Sequence, residues 1–209
     1  MISELAFASK RIFLGEAFLA QHSCKINILH ENLAGKTVAI VGNARSLSDQ
    51  SFGPDIDRCD LVIRMHAAPL PQAESHGTRT SWLALGMPVP QEIIDERKPD
   101  RLLWMAKKRK RLRARFANAK GFYLHPKTEW DRMADELKAP PTTGIMLIDL
   151  VARSEASEIH LFGFDFFTSL SLSGRRTAAQ VPHDFTAEKH FVQKLVARDQ
   201  RVVHHTDTH

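Results

Sequence analysis

Short apolar runs alternate with stretches of helical spacing along this chain, and that alternation constrains its fold more than any other feature. Residues 36–42 form a β-branched run (Thr37, Val38, Ile40, Val41) closed by Gly42, the pattern of a buried strand. Comparable runs lie at 60–65, 80–85, 101–106, 121–124, 158–164 and 200–205. Between the later runs the spacing predicts one helix opened by Pro140 and Pro141 and running to about 154, and another over 184–198. Strands that read as continuous apolar runs and are separated by helices belong in a parallel sheet covered on both faces. The expected fold is therefore α/β: a single-domain, Rossmann-like, mostly parallel sheet with helices on both faces. Residues 1–35 are expected to form an N-terminal helical appendage packing on the core, and 36–209 the main domain. An amphipathic helix is expected over 2–20, because Glu16 interrupts the apolar run and Glu4 precedes it, unlike a secretory leader.

Ligands in such sheets bind at the carboxyl ends of the strands, which places Gly42-Asn43, Met65-His66 and Gly163-Phe164-Asp165 on one rim. Composition narrows the partners. Twenty-nine Lys and Arg against 24 Asp and Glu give a net charge of +5, so anionic partners suit the chain. No apolar run approaches the roughly 18 residues that span a bilayer. Cys24 and Cys59 sit in no metal-ligand spacing, and two thiols in a chain of 209 residues suit a reducing, cytoplasmic compartment. The basic run 107–115 reads as a solvated helix face, with attraction to anionic glycans or peripheral contact with an anionic membrane as its functional reading. A nucleic-acid-binding role for that run lacks any helix-turn-helix or aromatic RNA-binding motif, so no nucleic acid partner is expected. The His-rich tail 204–209 reads as a frayed terminus.

Three segments carry chemistry. In the first, Gly42 lets a ligand approach the end of a strand, and Asn43 and Ser46 offer side-chain donors and acceptors to a sugar or phosphate. The segment is neither a dinucleotide fingerprint nor a P-loop: Ala44 stands where a second glycine would, and no Gly-Lys-Ser/Thr follows. In the second, Thr142 or Thr143 caps the helix, and Gly144 leaves its first turn open to a phosphate or carboxylate. In the third, His183 stands at a helix start after a Ser/Gly/Arg-rich stretch, where a neutral imidazole accepts a proton from an alcohol. Glu188 either orients the site or pairs with a lysine.

Taken in order, these segments resemble the sialylmotifs of the family 29 sialyltransferases. Residues 38–68, with Val41-Gly42-Asn43, Gly53-Pro54-Asp55-Ile56-Asp57 and Val62-Ile63-Arg64-Met65, resemble the large motif, and Gly77-Thr78-Arg79-Thr80 resembles a segment that often follows it. Residues 141–164 resemble the small motif, and His183 with Glu188 the very small motif. The resemblance implies a sialyltransferase-like catalytic domain that performs an inverting, metal-independent transfer. A sugar acid, sialic acid or similar, would move from a CMP-sugar donor to a glycan or glycolipid hydroxyl, with no cofactor. It implies donor contacts from Gly42, Asn43, Ser46, His66, Thr142, Thr143 and Gly144, with His183 as general base and Glu188 and Asp165 in support. His66 stands where the large motif usually has Asn. The third motif's histidine has no counterpart between Phe164 and Pro182, and Arg175 or Arg176 would supply charge to phosphate instead. The family's disulfide cannot form, since the small motif lacks Cys. These departures point to a soluble bacterial-type member acting on surface polysaccharide. They leave open CMP-Kdo as donor, or an inactive nucleotide-sugar- or anion-binding module.

Overall fold

The computed structural model describes residues 2–67, 69–166 and 182–206. The chain opens with helices α1 (Glu4–Ala20) and α2 (Ile26–Leu33). It continues through strand β1 (Thr37–Val41), a 3-10 turn (Arg45–Asp49), α3 (Gly53–Arg58), β2 (Leu61–Met65), α4 (Ala73–His76) and β3 (Trp82–Leu85). After α5 (Gln91–Arg97) come β4 (Arg101–Trp104), a second 3-10 turn (Arg109–Arg111), α6 (Ala114–Ala117), β5 (Tyr123–Leu124) and α7 (Lys127–Leu137). The last elements are α8 (Thr143–Ala152), β6 (Glu158–Phe162), α9 (Phe185–Arg198) and β7 (Val202–His204).

The strands form one seven-stranded sheet in the order β5-β4-β3-β2-β1-β6-β7, parallel at every pairing. This is the α/β sheet expected from the alternation. The order runs outward one way from β1 through β2 to β5 and the other way through β6 to β7, so the topological switch lies between β1 and β6. Open α/β sheets bind ligands in the crevice at such a point, beyond the carboxyl ends of the strands.

Alternation within strands divides the core. On β3, Trp82 and Ala84 face a cluster that includes Ile40, Ile63, Leu147 and Val192, while Leu83 and Leu85 face a second cluster with Trp104, Phe116 and Phe122. Helix α8 is buried over Thr143 to Val151, as a helix covering the centre of a sheet must be. Phe7, Phe18 and Leu19 of α1 enter the second cluster, and Leu29 and Leu33 of α2 enter the first. Complete burial of each such side chain contributes about 1.5–3 kcal/mol.

Two expectations need correction. The basic run is not a helix face. It passes through a 3-10 turn, and Arg109 and Leu112 are buried. Arg109 donates to Glu16, to the Ala106 carbonyl and, at 2.6 Å, to the His125 carbonyl, so one cation of the run is consumed internally. Nor is the tail frayed at 204–205. His204 ends β7 and its ring bonds the Phe164 carbonyl at 2.8 Å, and His205 stacks on Phe162 with ring centroids 4.2 Å apart.

Candidate active site

The carboxyl ends of β1, β2, β3 and β6 converge on the first turn of α8. Thr142 is its N-cap, and its hydroxyl accepts from the Ile145 N–H at 3.2 Å. Met146 N–H bonds the Thr142 carbonyl. The backbone N–H groups of Thr143 and Gly144 hold no partner among the described residues. They point along the positive end of a ten-residue helix, which favours an anion there.

Glu188, in the first turn of α9, clamps this turn from the other side. Its carboxylate accepts from Thr142 N–H at 2.7 Å and from the Thr142 hydroxyl at 2.8 Å. Glu188 is buried, and burial pushes its carboxyl up to about 7 against the pull of those two bonds. Of the two roles open in the sequence, the structure assigns it the orienting one. His183 lies just before α9, whose N-cap Asp184 accepts from Ala187 N–H. Nδ1 of His183 lies 2.8 Å from the Pro140 carbonyl oxygen. A carbonyl only accepts, so Nδ1 carries the proton and Nε2 is left with a lone pair. That is the tautomer a general base requires. Three hydrogen bonds, two to Glu188 and one from His183, therefore join the α9 start to residues 140–142.

Other predicted residues lie at the carboxyl ends of the neighbouring strands. His66, at the end of β2, has φ +56° and is held by its N–H to the Ala84 carbonyl at 2.9 Å. Its Nδ1 is buried with no partner, and burial lowers its pKa to about 4, so it is a neutral hydrogen-bonding group rather than a charge. Asn43 donates to the Met65 carbonyl at 3.4 Å, tying the ends of β1 and β2. Ser46 donates to Asp165 at 3.5 Å, and both line a cleft with Gly163, Phe164, Lys189 and His204 beside the switch point. Arg175 and Arg176 lie outside the described residues.

The reason for two glycines differs from the sequence reading. A Cβ on Gly42 would run into the Gly163 carbonyl oxygen, so the missing side chain serves the close passage of β1 past β6. A Cβ on Gly144 would lie 3.0 Å from a ring carbon of Phe164 and 3.5 Å from the Met65 sulfur, so its missing side chain lets α8 pack on those residues. What Gly144 offers a ligand is its N–H.

Sequence reasoning missed Gly86, just past β3. A Cβ there would lie 2.5 Å from the Thr143 hydroxyl oxygen and 3.0 Å from the His66 ring. The signal was present, since Gly86 closes an apolar run as Gly42 does, but only the fold brings it to α8. Much of the large-motif segment proves to be scaffold. Asp57 accepts from Thr78 N–H, the Thr78 hydroxyl and Arg79 N–H, and buried Arg64 donates to the Arg79 and His76 carbonyls, each at 2.7 Å.

Comparisons with known proteins point to one family and one fold. Residues 16–110 match the family model described as glycosyltransferase family 29 (sialyltransferase). A Mus musculus CMP-N-acetylneuraminate-beta-galactosamide-alpha-2,3-sialyltransferase 1 is 43% identical over 56 residues, which span 26% of this chain and 17% of that protein. A Mus musculus type 2 lactosamine alpha-2,3-sialyltransferase is 25% identical over 89% of this chain and 70% of its own length. Among solved structures, a mammalian sialyltransferase in complex with Gal-beta-1-3GalNAc-ortho-nitrophenol superposes with TM-score 0.59 at 18% identity, covering 86% of this chain and 72% of that one. The sialyltransferase CstII from Campylobacter jejuni, in complex with cytidine-5'-monophosphate, gives 0.54 at 12% identity, covering 82% and 80%. At these identities the two structures are likenesses of fold.

Proposed function

We propose that this chain, which matches the glycosyltransferase family 29 (sialyltransferase) model over residues 16–110 and is similar to sialyltransferases along most of its length, transfers a sugar acid from a CMP-activated donor to a glycan hydroxyl, with His183 as general base. The observation that carries this reading is the pairing of two unpartnered N–H groups, on Thr143 and Gly144, with a histidine whose Nδ1 is tied to Pro140. An anion fits the first feature and an alcohol the second. The acceptor hydroxyl gives its proton to His183 Nε2 while its oxygen forms a bond to the anomeric carbon. The bond from that carbon to the phosphate oxygen breaks, and CMP departs with the electron pair. Attack from the face opposite the leaving group inverts the centre. The α8 terminus stabilises the departing phosphate, and a general base so placed typically contributes a factor of about 10²–10⁴.

Within this reading Asn43, Ser46 and His66 hold the nucleotide, and Glu188 fixes Thr142 so that the α8 turn keeps its aim. The reaction is expected to proceed in EDTA, because the positive charge is supplied by N–H dipoles. The test is a panel of CMP-sugars, including CMP-sialic acid and CMP-Kdo, scored for transfer or hydrolysis, with CMP alone scored for thermal shift. Turnover of at least one CMP-sugar acid and a rise in Tm with CMP are expected. No shift with CMP and no turnover across the panel would refute the proposal.

A further inference from the structure

Helix α1 presents apolar side chains to solvent that no described residue covers. Leu5, Ile12 and Phe13 are 87%, 72% and 82% exposed. Their i, i+7, i+8 spacing puts them on one helix face, opposite Phe7, which is buried in the second core cluster. Gly15, where φ is +57°, breaks the helix just beyond this face.

The strip lies beside the basic run, and the contacts between them are specific. Arg11 donates to the Arg109 carbonyl at 3.3 Å and to the Leu112 carbonyl. Glu4 accepts from Ala114 N–H at 2.9 Å and faces Arg113, and Glu16 pairs with Arg109 and Lys127. Both carboxylates of α1 are thus spent on cations behind the strip. Lys108, Lys110 and Arg111 are exposed and hold no carboxylate among the described residues, and no Asp or Glu occurs from 101 to 122. The run leaves β4 at its carboxyl end, on the same rim of the sheet as the candidate active site.

An apolar helix face bordered by unpaired cations is complementary to a surface that is anionic outside and hydrocarbon within. We propose that α1 and residues 108–111 together dock this protein on an anionic lipid bilayer, with Ile12 and Phe13 entering the acyl boundary and the three cations meeting lipid phosphates. No described helix is long and apolar enough to cross a membrane. The inference stands on this surface alone and holds independently of the transferase reading.

The test is sedimentation of the full chain with vesicles of phosphatidylcholine, alone or with about a third phosphatidylglycerol. Binding to the anionic vesicles is expected, with little to the neutral ones and loss in high salt. The triple variant K108E/K110E/R111E is expected to bind about a hundredfold more weakly, and I12S/F13S at least about tenfold more weakly. All five positions are exposed, so Tm should hold in both variants. Failure of the wild type to bind anionic vesicles would overturn the proposal, as would binding that neither variant weakens. Equal capture by soluble heparin with no effect of I12S/F13S would show a polyanion site instead. A change from dimer to monomer in I12S/F13S with vesicle binding intact would assign the strip to a second copy of the chain.

Discussion

The region of Asp57, Arg64 and Arg79 and the region of residues 140–144 with His183 and Glu188 both carry motif signals, yet the folded chain uses their polar groups in opposite ways. In the first region the charges are consumed internally. Asp57 accepts from the 78–79 backbone, and Arg64 is buried against two carbonyls, its pKa lowered by that burial to about 10 and so still charged at neutral pH. In the second region the internal bonds stop short of consuming everything. Glu188 satisfies Thr142 and Pro140 satisfies one ring nitrogen of His183, while Thr143 N–H, Gly144 N–H and the other ring nitrogen meet no partner among the described residues. Saturated polar groups hold backbone in place, whereas unsaturated ones beside a cleft meet a ligand. A motif residue's type does not say which of these it does.

The sharpest way to break that contrast is at His183. The variant His183→Ala is expected to lose about 10²–10⁴ in transfer rate while CMP affinity, by calorimetry, stays within a few-fold. Equal loss of both would make His183 another scaffold residue. Glu188 gives the next largest effect, read in pH. Its carboxyl sits at about 7 in the folded chain against an ordinary value of 4.5. The folded state therefore holds this proton more tightly than the unfolded chain. The resulting stability is complete below about pH 4.5, falls as pH rises towards 7 and is level above, by about 3 kcal/mol in all. Urea denaturation across that range should show the fall in the wild type, and Glu188→Gln should flatten it.

On the scaffold side, Arg64→Met leaves the His76 and Arg79 carbonyls without their donor. It is expected to lower stability by about 2 kcal/mol in urea while CMP affinity is unchanged. A large drop in CMP affinity with stability intact would move Arg64 into the site. The smallest effect belongs to Gly86→Ala, which adds a methyl group beside the Thr143 hydroxyl and His66. CMP affinity should fall about tenfold, or 1.4 kcal/mol, with a well-ordered fold. An unchanged Kd would place the nucleotide away from β3.

Most of the sheet was legible because its strands are apolar on both faces. Each expected strand is present, although β4 ends at Trp104 and β5 is only Tyr123–Leu124. Helices α8 and α9 were legible from Pro141 and Thr142 and from Asp184, whose capping roles are local. The basic run misled because a run of like charges carries no period, and the burial of Arg109 depends on Glu16, 93 residues away. Gly42 and Gly86 depend likewise on what passes them in space. The partnership of Glu188 with Thr142 spans 46 residues, and the sequence offered the two roles for Glu188 without a means to choose.

The central claim is that the first turn of α8 receives the phosphate of CMP beside His183. Titration of the ¹⁵N-labelled chain with CMP tests it directly. Among the largest and saturable amide shifts should be those of Thr143 and Gly144, with the His183 ring responding at the same Kd. Saturation with CMP that leaves both amides and the His183 ring unmoved would contradict the account.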